Sequence, residues 1–226
     1  MIEITSQPDS LVSTRLRTPK AAAIAGLVFS LLLLAFFWLL RRSVPADPLE
    51  PGTWVRSDLA SVALALNLIP FAGVAFLWFI GVLRDRLGQR EDRFFATVFF
   101  GSALLFLGML FVAAAVLGAI VTIFSAEPDD TADLNTFHFA RVIAYNIANV
   151  YALKMAAVFM ISTSTVAIQT RFAPRWLAIL GFASGAILLL GSYYLSSSFV
   201  VFPIWVFLIS SYILIDNYRR PAQSES

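Results

Sequence analysis

The chain has no cysteine, which excludes disulfides, thiolate nucleophiles and cysteine-held zinc or iron–sulfur centres. Its only histidine is His138, whereas a bis-histidine haem needs two within the membrane. An HExxH pair and a glycine-rich phosphate loop are missing as well. Charge is scarce: 13% of residues are charged and the net charge is +2. No two carboxylates share an apolar run, so a carboxylate proton relay has nothing to run on. No catalytic, cofactor-binding or metal site is assigned, and the reading leans away from an enzyme; a single lysine or serine at work is not excluded. The pI of about 9.1 does not indicate nucleic acid, because the arginines gather at membrane edges, where they set orientation.

What is abundant is hydrophobicity. Apolar residues make up 59% of the chain and the mean hydropathy is +0.82, a composition that requires lipid as the solvent. Crossing about 30 Å of hydrocarbon at about 1.5 Å per residue takes about 20 apolar residues. Six runs meet this description: Ala21 to Leu40, Leu59 to Leu83, Phe94 to Phe124, Phe139 to Ile168, Trp176 to Leu195 and Phe199 to Ile215. The expected fold is all-α, a polytopic membrane bundle of six transmembrane helices. One bundle (21–218) lies between short tails (1–20 and 219–226). Only Ser196 to Ser198 separates the last two runs, which makes them an antiparallel hairpin.

Lysine and arginine orient the bundle. Arg15, Arg17, Lys20, Arg84, Arg86, Arg90, Arg93, Arg171, Arg175, Arg219 and Arg220 fall on one side, and only Arg41, Arg42, Arg56 and Arg141 on the other. Both termini are therefore expected in the cytoplasm, with Arg41 and Arg42 as the discordant pair. An alternative is a cleaved signal peptide ending at Val44-Pro45-Ala46. Its apolar core would exceed the usual length of about 7 to 15 residues, so the first helix is read as a retained anchor.

The loops are plain. Pro45, Pro48 and Pro51 stiffen an external connector, which can serve as a lid but is more simply a link. Arg84 to Arg93 alternates arginine with acids, as topology signals do, although such a stretch can also dock anionic headgroups. Glu127, Asp129, Asp130 and Asp133 lie near His138, but their spacing is not that of a calcium loop.

The membrane interior holds the candidate site. Lys154 sits near the middle of the fourth run, where a charge costs about 2.5 to 3.5 kcal/mol. At 100° per residue, His138, Arg141, Tyr145, Asn149, Ala152, Ala156 and Thr163 share one face of that helix, suited to helix packing or to lining a cavity open to the external side. Lys154 falls on the opposite face, beside Ile143, Ile147, Val150, Val158 and Ile161, buried or snorkelling. Asn67, one turn before Pro70 and near Gly73, is its best polar partner across helices. The candidate intramembrane polar site is thus Lys154, Asn67, Tyr145 and Asn149.

Packing signals accompany it. Gly181 and Gly185 form a GxxxG pair, continued by Leu188 and Ser192, able to serve inside the bundle or in a homo-oligomer or partner contact. Gly101, Gly108 and Ala115 repeat small residues every seventh position. Ser162, Thr163, Ser164 and Thr165 can bind a cation or, in the ordinary membrane manner, bond carbonyls one turn back. Helices one to three show no repeat of four to six, which argues against an inverted-repeat transporter.

Arg171-Phe172-Ala173-Pro174-Arg175-Trp176-Leu177-Ala178 opens a glycine-containing final hairpin. Over Thr170 to Gly185 it resembles small, uncharacterised bacterial multipass proteins. The resemblance implies a bacterial inner-membrane protein and transfers no active site. Two functions remain in view: a non-enzymatic accessory or scaffold protein in the lipid bilayer, and a small-solute transporter or channel using the polar site.

Overall fold

The computed structural model describes residues 19–45, 47, 49, 58–87, 93–126, 134–170, 173–191 and 198–219. Among them there is no strand, and the expected all-α architecture is what the chain adopts. The elements are α1 (Pro19–Ser43), α2 (Leu59–Leu87), α3 (Arg93–Ala126), α4 (Leu134–Asn146), a π-helical segment (Ile147–Ala152), α5 (Leu153–Thr170), α6 (Arg175–Gly191), a 3-10 turn (Ser198–Val200) and α7 (Val201–Arg219). The stretch from α4 through the π segment to α5 forms one long span, Asn135–Thr170.

Five spans are long and apolar enough to cross a membrane: Ala21–Ser43, Leu59–Gly81, Ala96–Ile123, Asn135–Thr170 and Ser198–Tyr218. Helix is the natural form for such segments, because it satisfies every backbone polar group within the segment itself. The sixth expected span is shorter. α6 is described over 17 residues, about 25 Å at the usual rise, and the remainder of the run to Leu195 lies outside the described residues, as do residues 1–18 and 220–226 and most of the loops.

The helices close into a ring. α1 packs against α2 and α7, α3 packs between α2 and the α4–α5 span, and α6 packs chiefly on α5 while meeting α7. Neighbours run antiparallel: Arg84 near the end of α2 lies over the Phe100 ring near the start of α3, and Arg41 near the end of α1 lies over the Phe199 ring just before α7.

Phenylalanine fills the middle of the ring. Phe29 of α1, Phe76 of α2, Phe106 of α3, Phe159 of α5 and Phe202 of α7 are all buried. Phe76 lies 4.6 Å from Phe29, 5.5 Å from Phe106 and from Phe159, and 5.9 Å from Phe202, centroid to centroid. Phe106 and Phe202 approach to 4.8 Å. Most of these pairs are edge-to-face, each worth about 0.5 to 1.5 kcal/mol beyond its buried area. In lipid, where helices gain nothing from leaving water, such dense packing is a main source of association.

Glycines set the closest approaches. A side chain at Gly26 would strike Ser210 of α7 and Phe79 of α2, and one at Gly73 would strike Phe111 of α3. Gly181 lies against Ser164 and Trp205, and Gly185 against Ile161 and the Ala157 carbonyl. The GxxxG pair is therefore used within the chain, on α5 and α7, and an oligomer would need another face. Gly101 and Gly108 of α3 face open space, and the hydroxyls of Ser162, Thr163 and Thr165 donate to carbonyls one turn back at 2.8, 2.7 and 2.9 Å.

Candidate functional site

Arg141 sits two turns into α4 and is 4% exposed. A buried guanidinium needs hydrogen bonds to offset lost hydration, and its Nη2 donates to the Pro45 carbonyl at 2.9 Å. That bond ties α4 to the chain leaving α1. From Arg141 the same face climbs through Ala144 and Tyr145 to Ala148 and Asn149, the four-residue spacing of helical neighbours.

This face borders a half-open cavity of about 110 Å³. Opposite it stand Phe36, Phe37, Leu40 and Arg41 of α1, Ala113, Ala114 and Leu117 of α3, and Phe199. The space exists because alanines stand where larger side chains would fill it. Since a water needs only about 10 to 15 Å³ of such volume, several water-sized groups fit. Among the described residues the lining is apolar except for Arg41, Arg141, Tyr145 and Asn149.

The cavity lies where the helix ladder loosens. Asn149 falls in the π-helical segment, and its Nδ2 donates to the Tyr145 carbonyl at 3.1 Å. A π turn accommodates one extra residue and often accompanies a site. Here it holds Ala148 and Asn149 against the space.

The four residues expected to form one polar site do not converge. Tyr145 and Asn149 line the cavity, on the stripe expected from helical periodicity. Asn67 is exposed, and its Nδ2 donates to Ala63 of its own helix at 2.9 Å, so it does not serve as the partner of Lys154. The helix runs unbroken through Pro70. Lys154 is half-buried, lies outside the cavity lining and has no hydrogen bond or ion pair among the described residues. His138 is half-buried, with its Nε2 unpaired in the structure.

Periodicity did not single out Arg41 and the phenylalanines of α1 as cavity residues. The available signal was the breach of the orientation rule: Arg41 stacks on Phe199 at 4.7 Å, Arg42 on Trp38 at 4.8 Å, and Arg141 bonds Pro45. The acidic cluster Glu127 to Asp133 lies outside the described residues, as do most of the proline connector and residues 88–92 of the arginine-rich stretch. Of the Arg171 to Ala178 motif, Ala173 onward is described, and the Pro174 carbonyl accepts from the Leu177 and Ala178 amides at 3.0 and 3.4 Å, opening α6.

No family model, no curated protein and no solved structure matches the chain. The geometry must carry the functional reading. It shows an integral membrane protein with a phenylalanine-packed core and, among the described residues, an apolar cavity bordered by Arg41 and Arg141 near the end of α1.

Proposed function

We propose that the chain is a multipass protein of the bacterial inner membrane, with both termini cytoplasmic, acting as a non-conducting accessory or scaffold-type component. The observation that supports this is the phenylalanine cluster: Phe29, Phe76, Phe106, Phe159 and Phe202, from five helices, are buried against one another, a packing that favours a closed bundle. The basic residues concentrated at the opposite end from the cavity support the orientation. The likeness of Arg171 to Ala178 to small bacterial multipass proteins supports the choice of membrane.

A second reading, transport of a small solute, draws on the cavity, since Tyr145 and Asn149 would stand at its entrance. A cysteine scan separates the two, because every introduced thiol reports alone in a chain without native cysteine. Cysteines are placed at Tyr145, Asn149, Lys154, Phe76 and Asn67 and challenged in intact cells with a membrane-impermeant thiol reagent. The packed reading expects labelling at Tyr145 and Asn149 and silence at Phe76. Labelling at Phe76 would establish a wet axis and favour transport.

A further inference from the structure

Lys154 is the second residue of α5, just past the π-helical segment. Arg141 lies about 20 Å back along this span, and Thr170 at its end about 24 Å ahead, at the usual rise. The lysine therefore starts from the middle of the hydrocarbon. Its helix is buried on the side of Leu153, Ala156, Ala157 and Met160, whereas Tyr151, about one turn earlier, is 57% exposed, and Lys154 and Val158 are half-buried. The ammonium group thus belongs to the outer side of the span, away from the phenylalanine cluster. Among the described residues it has no hydrogen bond or ion pair.

A cation left this way in hydrocarbon is costly, and intramembrane charges pair with one another. Three sources of negative charge can be compared. Headgroup phosphates lie at an interface about 15 Å from the midplane, beyond the several ångströms that a lysine stem spans. The chain's own 14 acids all fall outside its six apolar runs, so a second copy of the chain brings no carboxylate to this depth either. A helix of another protein can. Of the side chains such a helix carries, a carboxylate both accepts the hydrogen bonds and neutralises the charge.

We infer that Lys154 is the docking point for a transmembrane helix of a different protein, one that bears an aspartate or glutamate at mid-membrane depth. The inference rests on the accessory reading, whose partner it names by chemistry.

The test uses the full chain, carrying a fluorescent donor on a cysteine appended to its C-terminus, in phosphatidylcholine vesicles at about pH 8. The probes are acceptor-labelled leucine–alanine transmembrane peptides of about 20 residues with a central Asp, Asn or Leu, or with Asp near one end. Energy transfer should report association with the central-Asp peptide on the order of tenfold tighter than with the Leu peptide, and the Asn and end-Asp peptides should fall well short of it. Lys154→Met should remove the preference, and Lys154→Asp should transfer it to a peptide with a central Lys.

Equal association of the Asp and Leu peptides would overturn the inference. So would a preference that survives in Lys154→Met with unchanged circular dichroism. Parity of Asn with Asp would make this an uncharged contact and overturn the carboxylate assignment, and a stronger end-Asp peptide would place the cation at the interface. Should Lys154→Asp fail to fold, Lys154→Met decides alone. Ion flux in the same vesicles would defeat the accessory reading whatever the peptides do, whereas failed pairing beside a silent bundle defeats the contact alone.

Discussion

Gly181 and Gly108 are both helical glycines in small-residue patterns, yet a side chain has opposite consequences at the two. At Gly181 it meets Ser164 and Trp205; at Gly108 it meets nothing. Gly181→Leu should therefore cost about 1 to 3 kcal/mol by overpacking, and Gly108→Leu should stay within about 0.5 kcal/mol, measured by thermal unfolding in one detergent. Equal losses would mean that α3 also packs on something at its open face. The sequence marks both patterns as places where a backbone can be approached, but which one is approached depends on the ring of helices, and spacing does not encode that. Lys154 carries the same lesson. Its cost was legible from depth, while the absence of a partner among the described residues was not. Replacing it with Met should leave stability unchanged or raise it by about 1 to 2 kcal/mol, because an unpaired cation leaves the hydrocarbon. A large loss would reveal a partner for the ammonium group.

At the scale of elements, the π-helical segment Ile147–Ala152 is the feature that periodicity could not supply. A uniform step of 100° places Arg141, Tyr145 and Asn149 on one face, and this succeeds because they precede or open the loosened turns. Beyond them the phase slips by about one residue. The helix nevertheless continues into α5 with Ala152, Ala156 and Thr163 buried, since that rod is covered on several sides and tolerates the slip. A π turn behaves as a one-residue insertion, so deleting Val150 should restore an α-helical ladder with both ends in register. We expect the deletion protein to fold, with helical content preserved by circular dichroism and stability reduced by no more than about 2 kcal/mol. Wholesale unfolding would show instead that the extra residue is needed for the packing of α5 on α3 and α6.

The whole molecule is a ring of helices closed at its axis by aromatic side chains, and this is where the apolar composition becomes a functional statement. Length and hydropathy made the number of helices and their class legible, because each run must satisfy its own backbone in lipid. They could not say what lies at the centre, since twenty-one phenylalanines can as well face lipid as one another. The structure brings five of them, Phe29, Phe76, Phe106, Phe159 and Phe202, together from five helices. A hydrated ion crossing that layer would shed its shell among rings that offer no compensating dipoles in the plane of contact, a barrier far above thermal energy. The reconstituted protein should therefore add no measurable ion flux to liposomes loaded with a fluorescent indicator. Phe76 is the ring most engaged with its fellows, so Phe76→Ala should cost about 3 to 5 kcal/mol. Truncating Phe76 and Phe202 together should open a void in the middle of the ring. If the axis is closed by these rings alone, the double variant should leak while the wild type does not. If the wild type itself conducts, the rings form a gate that opens and the transport reading prevails. Silence from both proteins would place a second seal about one turn further along, where Trp205 lies 6.4 Å from Phe159 and meets Gly181 beside Ser164.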